Sequence, residues 1–152
     1  GERPQMYHSS LLSVIAGMLL VAVATHVQGK PADEIAAICA VAEERHQAIY
    51  DQRSSDADVA VVLMHKHTFC PSDRQIVAGS TVRWINVDKR TSHSVWFKAA
   101  AKPESERLFP EEVVEMSFPE PGGYPYLCGP HWESEGMRGR LEVLKPAGGL
   151  SP

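Results

Sequence analysis

Hydrophobic and polar positions follow three successive patterns along this chain. Residues 11–24 form an unbroken run of fourteen apolar or small side chains. Residues 30–54 then place Ile35, Ile38, Cys39, Ala42, His46 and Ile49 on one stripe at helical spacing. Pro31 suits the first turn of that helix, Asp33 and Glu34 complement its positive end, and Ser54-Ser55-Asp56 break the pattern. From Ala57 onward the period shortens to that of strands. Residues 59–64 are continuously apolar, 81–86 alternate, and 94–97, 113–118, 124–127 and 139–144 are short and rich in β-prone side chains. Turn signals separate them at Ala78-Gly79-Ser80, at 86–91, at Lys102-Pro103 and at Pro119-Glu120-Pro121-Gly122-Gly123. Six or seven short strands at this spacing predict an all-β fold, a small β-sandwich, preceded by one α-helix that either packs on it or docks on a partner or a membrane surface.

Between the strand ending near Leu127 and the one starting near Gly139 lies a loop that carries Cys128, His131 and Met137. His93 opens another β-prone stretch 35 positions before the cysteine. A thiolate and two imidazoles can hold copper in a trigonal plane while a thioether approaches along the axis. That donor set serves both Cu(I) and Cu(II) and makes an electron-transfer site. The expected ligands are His93, Cys128 and His131 in the plane and Met137 on the axis, with Glu133 or Glu135 as axial alternatives. Two strand-end loops meeting at one pole of a sandwich would hold these ligands rigidly. The Ser94 N–H is placed to donate to the cysteine sulfur, whereas Pro130 has no N–H to offer. A second group, Met64, His65, His67 and Cys70, reads either as a copper or zinc cluster or as exposed strand histidines beside a structural cysteine. In the strand reading His65 and His67 share a face.

Composition narrows the setting. The net charge of −4 offers no basic field for nucleic acid, which is excluded as a partner. Glu104, Glu106, Glu111, Glu112, Glu115 and Glu120 form either a docking edge for a basic cytochrome or an ordinary solvated edge. A helix over 11–24 rises about 21 Å, short of the roughly 30 Å hydrocarbon core. It ends in Ala22-Val23-Ala24, the small-x-small pattern of a signal-peptidase site. Residues 1–29 therefore read as a cleaved export signal or, with apolar character stretching over 9–27, as a membrane anchor. Either reading puts the remainder in the periplasm, soluble or tethered to the outer face of the inner membrane. An oxidising compartment could join Cys39 to Cys70; the alternative is two buried thiols.

Residues Phe69-Cys70-Pro71, Ile76 through Asn86, and His93-Ser94-Val95-Trp96-Phe97 resemble the first half of plastocyanin- and pseudoazurin-type cupredoxins. Phe118 through His131 and Gly136 through Val143 resemble that family's ligand loop and last strand, so the resemblance covers residues 58–145. It implies an eight-stranded Greek-key β-sandwich and a type 1 (blue) copper protein that shuttles single electrons. His131 would then serve as the electron port, with Pro130 and Trp132 beside it. The helix at 30–54 is not part of that pattern. Five residues separate His131 from Met137, where plastocyanin-like members have four and amicyanin-like members two. The expected organisation is an export or anchor segment at 1–29, a helical extension at 30–56, a cupredoxin domain at 57–146 and a loose tail at 147–152. The expected function is periplasmic electron transfer between redox proteins such as c-type cytochromes or an oxidase. A mononuclear copper enzyme with a carboxylate ligand and a copper storage or delivery protein are the alternatives.

Overall fold

The computed structural model describes residues 1–4 and 29–148. The export or anchor segment expected at 9–27 and tail residues 149–152 lie outside them. Among the described residues no helix is long and apolar enough to cross a membrane.

Helix α1 spans Ala32–Tyr50. It stops short of Ser54 because Asp51 turns into the left-handed region, at φ 55°, and returns its N–H to the Gln47 carbonyl. Ser54 instead opens a short 3-10 turn, Ser54–Asp56. The Glu43 side chain accepts both its N–H at 2.7 Å and its hydroxyl at 2.5 Å. Ile38, Ala42 and His46 are buried, and Ile35, Cys39 and Ile49 are half-buried, so the helical stripe read from the sequence is the packed face.

Seven strands follow: β1 (Ala60–His65), β2 (Thr68–Cys70), β3 (Asp73–Val77), β4 (Ser80–Asn86), β5 (Val113–Phe118), β6 (Gly122–Leu127) and β7 (Arg138–Leu144). They form two sheets, in the orders β2-β1-β4-β5 and β3-β7-β6. The pairs β1·β4 and β3·β7 are parallel and the other pairs antiparallel. Strands β2 and β3 are not visible in the hydrophobic pattern, because β2 has only three residues and β3 buries only Ile76. Conversely, 94–97 is not a strand. It touches its neighbours through single bridges, His93 to Leu108 and Trp96 to Leu127, so the described residues form seven strands where the resemblance implies eight. The physical reason lies in its backbone partners: the Val95 N–H donates to the Ser105 hydroxyl at 2.9 Å rather than to a neighbouring strand.

The sandwich core is aromatic. Trp84, Phe97, Phe118 and Tyr126 meet with ring centroids 5.2 to 6.3 Å apart, in tilted or edge-on contacts. Strand β1 explains the continuous apolar run at 59–64, for it is buried on both sides. Val62 and Met64 face this core, while Val61 and Leu63 face Ile38 and Ala42 of α1. A disulfide from Cys39 to Cys70, with Cα atoms 5.3 Å apart, joins the helix to β2. The Met64–Cys70 group is therefore not a metal cluster: Cys70 is bonded and Met64 lies in the core. Lys66 and His67 are turn residues, at φ 44° and 55°, so His65 and His67 do not share a strand face.

Candidate metal centre

Two loops at one pole of the sandwich carry the chemistry. The first is shaped by Asn86 at the end of β4. Its amide donates to the carbonyls of Thr91 and Leu108 at 2.8 and 2.9 Å, and its oxygen accepts the Asp88 N–H at 2.9 Å. His93 then locks to Leu108 through both backbone groups, at 3.0 and 2.8 Å. The second loop follows β6. The Cys128 N–H donates to the Met137 carbonyl at 3.1 Å, and the Cys128 carbonyl accepts from His131 and Trp132 at 3.1 and 2.9 Å. The His131 carbonyl takes the N–H groups of Glu135 at 3.1 Å and Met137 at 3.2 Å, with Gly136 between them at φ 65°. The long spacing from His131 to Met137 is thus coiled into turns that bring the methionine back beside the cysteine.

The loops bring His93, Cys128 and His131 together. The cysteine sulfur lies 3.7 Å from His93 Nδ1 and 3.5 Å from His131 Nδ1, and all three donor atoms are within 4.8 Å of one another. Metal–thiolate bonds of about 2.3 Å and metal–imidazole bonds of about 2.0 Å, opened to 120°, would separate such donors by about 3.7 Å. The residues present therefore fit a metal ion bound in their plane. His93 and Cys128 are both 0% exposed and Met137 is 1% exposed. Glu133 and Glu135 are exposed, and the Glu135 carboxylate is drawn off to within 3.6 Å of His67 Nδ1.

Electrostatics suit metal binding. Asp88 Oδ2 accepts the His93 Nε2–H at 2.6 Å, which leaves Nδ1 unprotonated and facing the sulfur. Burial pushes the Asp88 carboxyl up, but hydrogen bonds from His93 and the Lys66 N–H outweigh it and hold the pKa below its ordinary value. Burial pushes the Cys128 thiol up, against the Ser94 and His131 N–H groups that favour the thiolate. Burial, then the neighbouring His67 and His93 rings, bring His131 down to about 4. A buried thiol flanked by two imidazole nitrogens is a donor set in which a cation can replace the sulfur's proton.

Glu104 and Ser94 fasten the two loops together. Ser94 donates its hydroxyl to Glu104 at 2.6 Å and accepts the Gly129 N–H at 2.8 Å. The Glu104 carboxylate lies so close over Gly129 that a Cβ there would meet its oxygen at 1.9 Å. At the surface, the His67 ring packs against His131 with centroids 4.4 Å apart. The Lys30 ammonium holds the His67 carbonyl at 3.1 Å, so the residues just ahead of α1 lie beside this pole. Trp132 is flanked by Lys98 and Arg138, at 4.9 and 5.2 Å from its ring centre. Pro130 is half-buried, between the two ligands of its own loop.

Sequence reasoning did not identify Asp88 or Glu104 as parts of this site. Asp88 stands five positions before His93 in the same turn, a spacing that could have flagged it. Glu104 carried no such signal, since it is one of many acidic residues in its stretch.

Residues 57–144 match the family described as copper binding proteins of the plastocyanin/azurin type. Amicyanin from Paracoccus versutus is 33% identical over 91 residues, 57% of this chain and 66% of that protein. Amicyanin-alpha from Methylorubrum extorquens is 30% identical over 113 residues, 72% of this chain and 92% of that protein. The crystal structure of the Paracoccus versutus amicyanin superposes with a TM-score of 0.51 at 31% identity, over 60% of this chain and 88% of its own. A copper-containing nitrite reductase from Thermus scotoductus shares the fold, at 23% identity and a TM-score of 0.53 over 24% of its length. With the sandwich, the His-Cys-His cluster and this match in hand, the chain belongs to the plastocyanin/azurin family of copper-binding proteins, a cupredoxin whose cofactor is one copper ion.

Proposed function

We propose that the chain is a periplasmic electron carrier that holds copper through His93 Nδ1, Cys128 Sγ and His131 Nδ1, with Met137 as the axial donor. The observation that carries this reading is the set of three donor atoms within 4.8 Å, with the far nitrogen of His93 already engaged by Asp88. Copper in such a site supplies a one-electron Cu(II)/Cu(I) couple. The protein's own part is to hold the donors still. Asp88 orients His93, the Ser94–Glu104–Gly129 contacts tie one ligand loop to the other, and burial excludes water from Cys128. His131 is the part-buried ligand at the pole and forms the electron port, with Trp132 next to it. Redox proteins such as c-type cytochromes or an oxidase are the proposed donors and acceptors. The burial of Met137 and the outward position of Glu133 and Glu135 favour the thioether over a carboxylate.

Visible and EPR spectra of the copper-loaded chain test this. An intense thiolate-to-copper charge-transfer band with small hyperfine splitting is expected, lost in Cys128→Ala. An unchanged spectrum in that variant would refute the assignment.

A further inference from the structure

The two-residue turn between β1 and β2 is held more firmly than a surface hairpin requires. Lys66 and His67 both stand in the left-handed region, at φ 44° and 55°, where glycine and asparagine are the usual residues and a long or bulky side chain is strained. Such strain persists only where the surroundings enforce it, and it gathers at working sites. Here the enforcing contacts come from the metal centre and from the chain just ahead of α1. The Lys66 N–H donates at 3.2 Å to Asp88, the carboxylate that orients His93. The Lys30 ammonium donates to the His67 carbonyl, and Glu135, inside the second ligand loop, stands 3.6 Å from His67 Nδ1.

What these contacts fix is the His67 ring. Among the described residues two rings meet that of His131: His93, with centroids 5.1 Å apart, and His67, with centroids 4.4 Å apart. His93 is fully buried, whereas the His67 side chain is 32% exposed. Trp132, next in the chain, lies instead under Lys98 and Arg138. The ring that leads outward from His131 is therefore His67. We propose, on the strength of the electron-carrier function above, that the electron passes one ring beyond His131 and leaves the protein through the His67 imidazole. Electron tunnelling decays exponentially with distance, and more steeply across a gap than through atoms in contact. In the step Cu(I) is oxidised and a one-electron acceptor on the partner is reduced. No bond or proton moves, and the imidazole supplies only the contact.

Electron self-exchange between the Cu(I) and Cu(II) forms of the full chain, read from NMR line broadening in mixtures of the two, tests this with the protein as its own partner. A second copy presents a surface too broad to enter a hollow one side chain wide, so His67→Ala widens the gap on both sides of the encounter. Self-exchange is expected to fall at least tenfold in His67→Ala and to return to within threefold of wild type in His67→Phe. Neither variant carries a charge at 67, so the comparison isolates the ring. The potential and the charge-transfer band should stay the same in all three proteins. Unchanged or faster exchange in His67→Ala would make His131 itself the exit, and equal slowing in both variants would mean that the imidazole serves docking; either overturns the proposal. A shifted band or potential in His67→Phe would make the ring a prop for His131 and overturns it too. A wild type without the charge-transfer band, or without measurable exchange, would defeat the carrier function itself and this inference with it.

Discussion

Removing the bridge between Cys39 and Cys70 measures how the appended helix is held. Its two ends are 31 positions apart in sequence. In the chain-entropy description, closing a loop of that size lowers the entropy of the unfolded chain by about 12 cal/mol/K, or about 3.7 kcal/mol at 25 °C. Cys39→Ala/Cys70→Ala leaves no buried hydroxyl behind, so the expected loss of stability is about 3 to 4 kcal/mol, or roughly 10 °C in Tm for a chain of this size. The assay is guanidinium unfolding of the metal-free chain, followed both by tryptophan fluorescence, to which the buried Trp84 contributes, and by far-ultraviolet circular dichroism, which follows α1. A loss below about 1 kcal/mol with an unchanged slope would refute the entropic account. A helix signal that melts before the fluorescence would show instead that the bridge holds α1 against the sheet. In that case Ile38 and Ala42 would not secure it by packing alone.

Further outcomes follow from the metal centre. Asp88→Asn keeps a hydrogen-bond acceptor for His93 but deletes a unit charge. At about 7 Å and an effective dielectric of about 20 that charge amounts to about 2.4 kcal/mol, so voltammetry should show a potential higher by on the order of 100 mV; an unmoved potential would mean that the charge is screened. Gly129→Ala drives Glu104 off Ser94 and is expected to cost about tenfold or more in copper affinity, read by competition with a chelator. Met137→Gln should lower the potential and change the colour; if both stay the same while Glu133→Gln changes them, the axial donor is the carboxylate. For pH, His131 is depressed in the folded chain to about 4, so the unfolded chain takes up its proton first. The stability of the metal-free chain should therefore fall as pH drops from about 6.5 toward 4, His65 adding to the same trend because burial lowers it too. Thermal melts across that range check the sign, and a rise in Tm on acidification contradicts it.

The hydrophobic pattern showed the helix stripe, most strands and the ligand loop because each is a local signal. Cys128 and His131 are three positions apart, and Ile38, Ala42 and His46 repeat at one helical turn. Strands β2 and β3 escaped it because β2 is too short to show a period and β3 lies with most of its side chains in water. The stretch 94–97 looked like a strand from its side chains, yet it meets β6 only through the single bridge from Trp96 to Leu127, and the Val95 N–H turns to the Ser105 hydroxyl. Asp88 and Glu104 matter through contacts across the fold, to His93, Ser94 and Gly129, and such contacts leave little trace in sequence spacing. His67 was read as a strand residue, although two successive left-handed residues carry it around a hairpin and onto His131.

The Lys30 hand-hold on the His67 carbonyl has a consequence for attachment. Whatever is joined ahead of Gly29 begins at the rim of the copper pole, not at the opposite end of the sandwich. A bulky fusion there would stand in the path of an approaching redox partner, while one placed after residue 148 would not be held at that rim. An anchor at that point would leash the port itself to a surface. The local concentration of partners on that surface would then rise with the shortness of the leash, and those arriving from solution would have to reach around it.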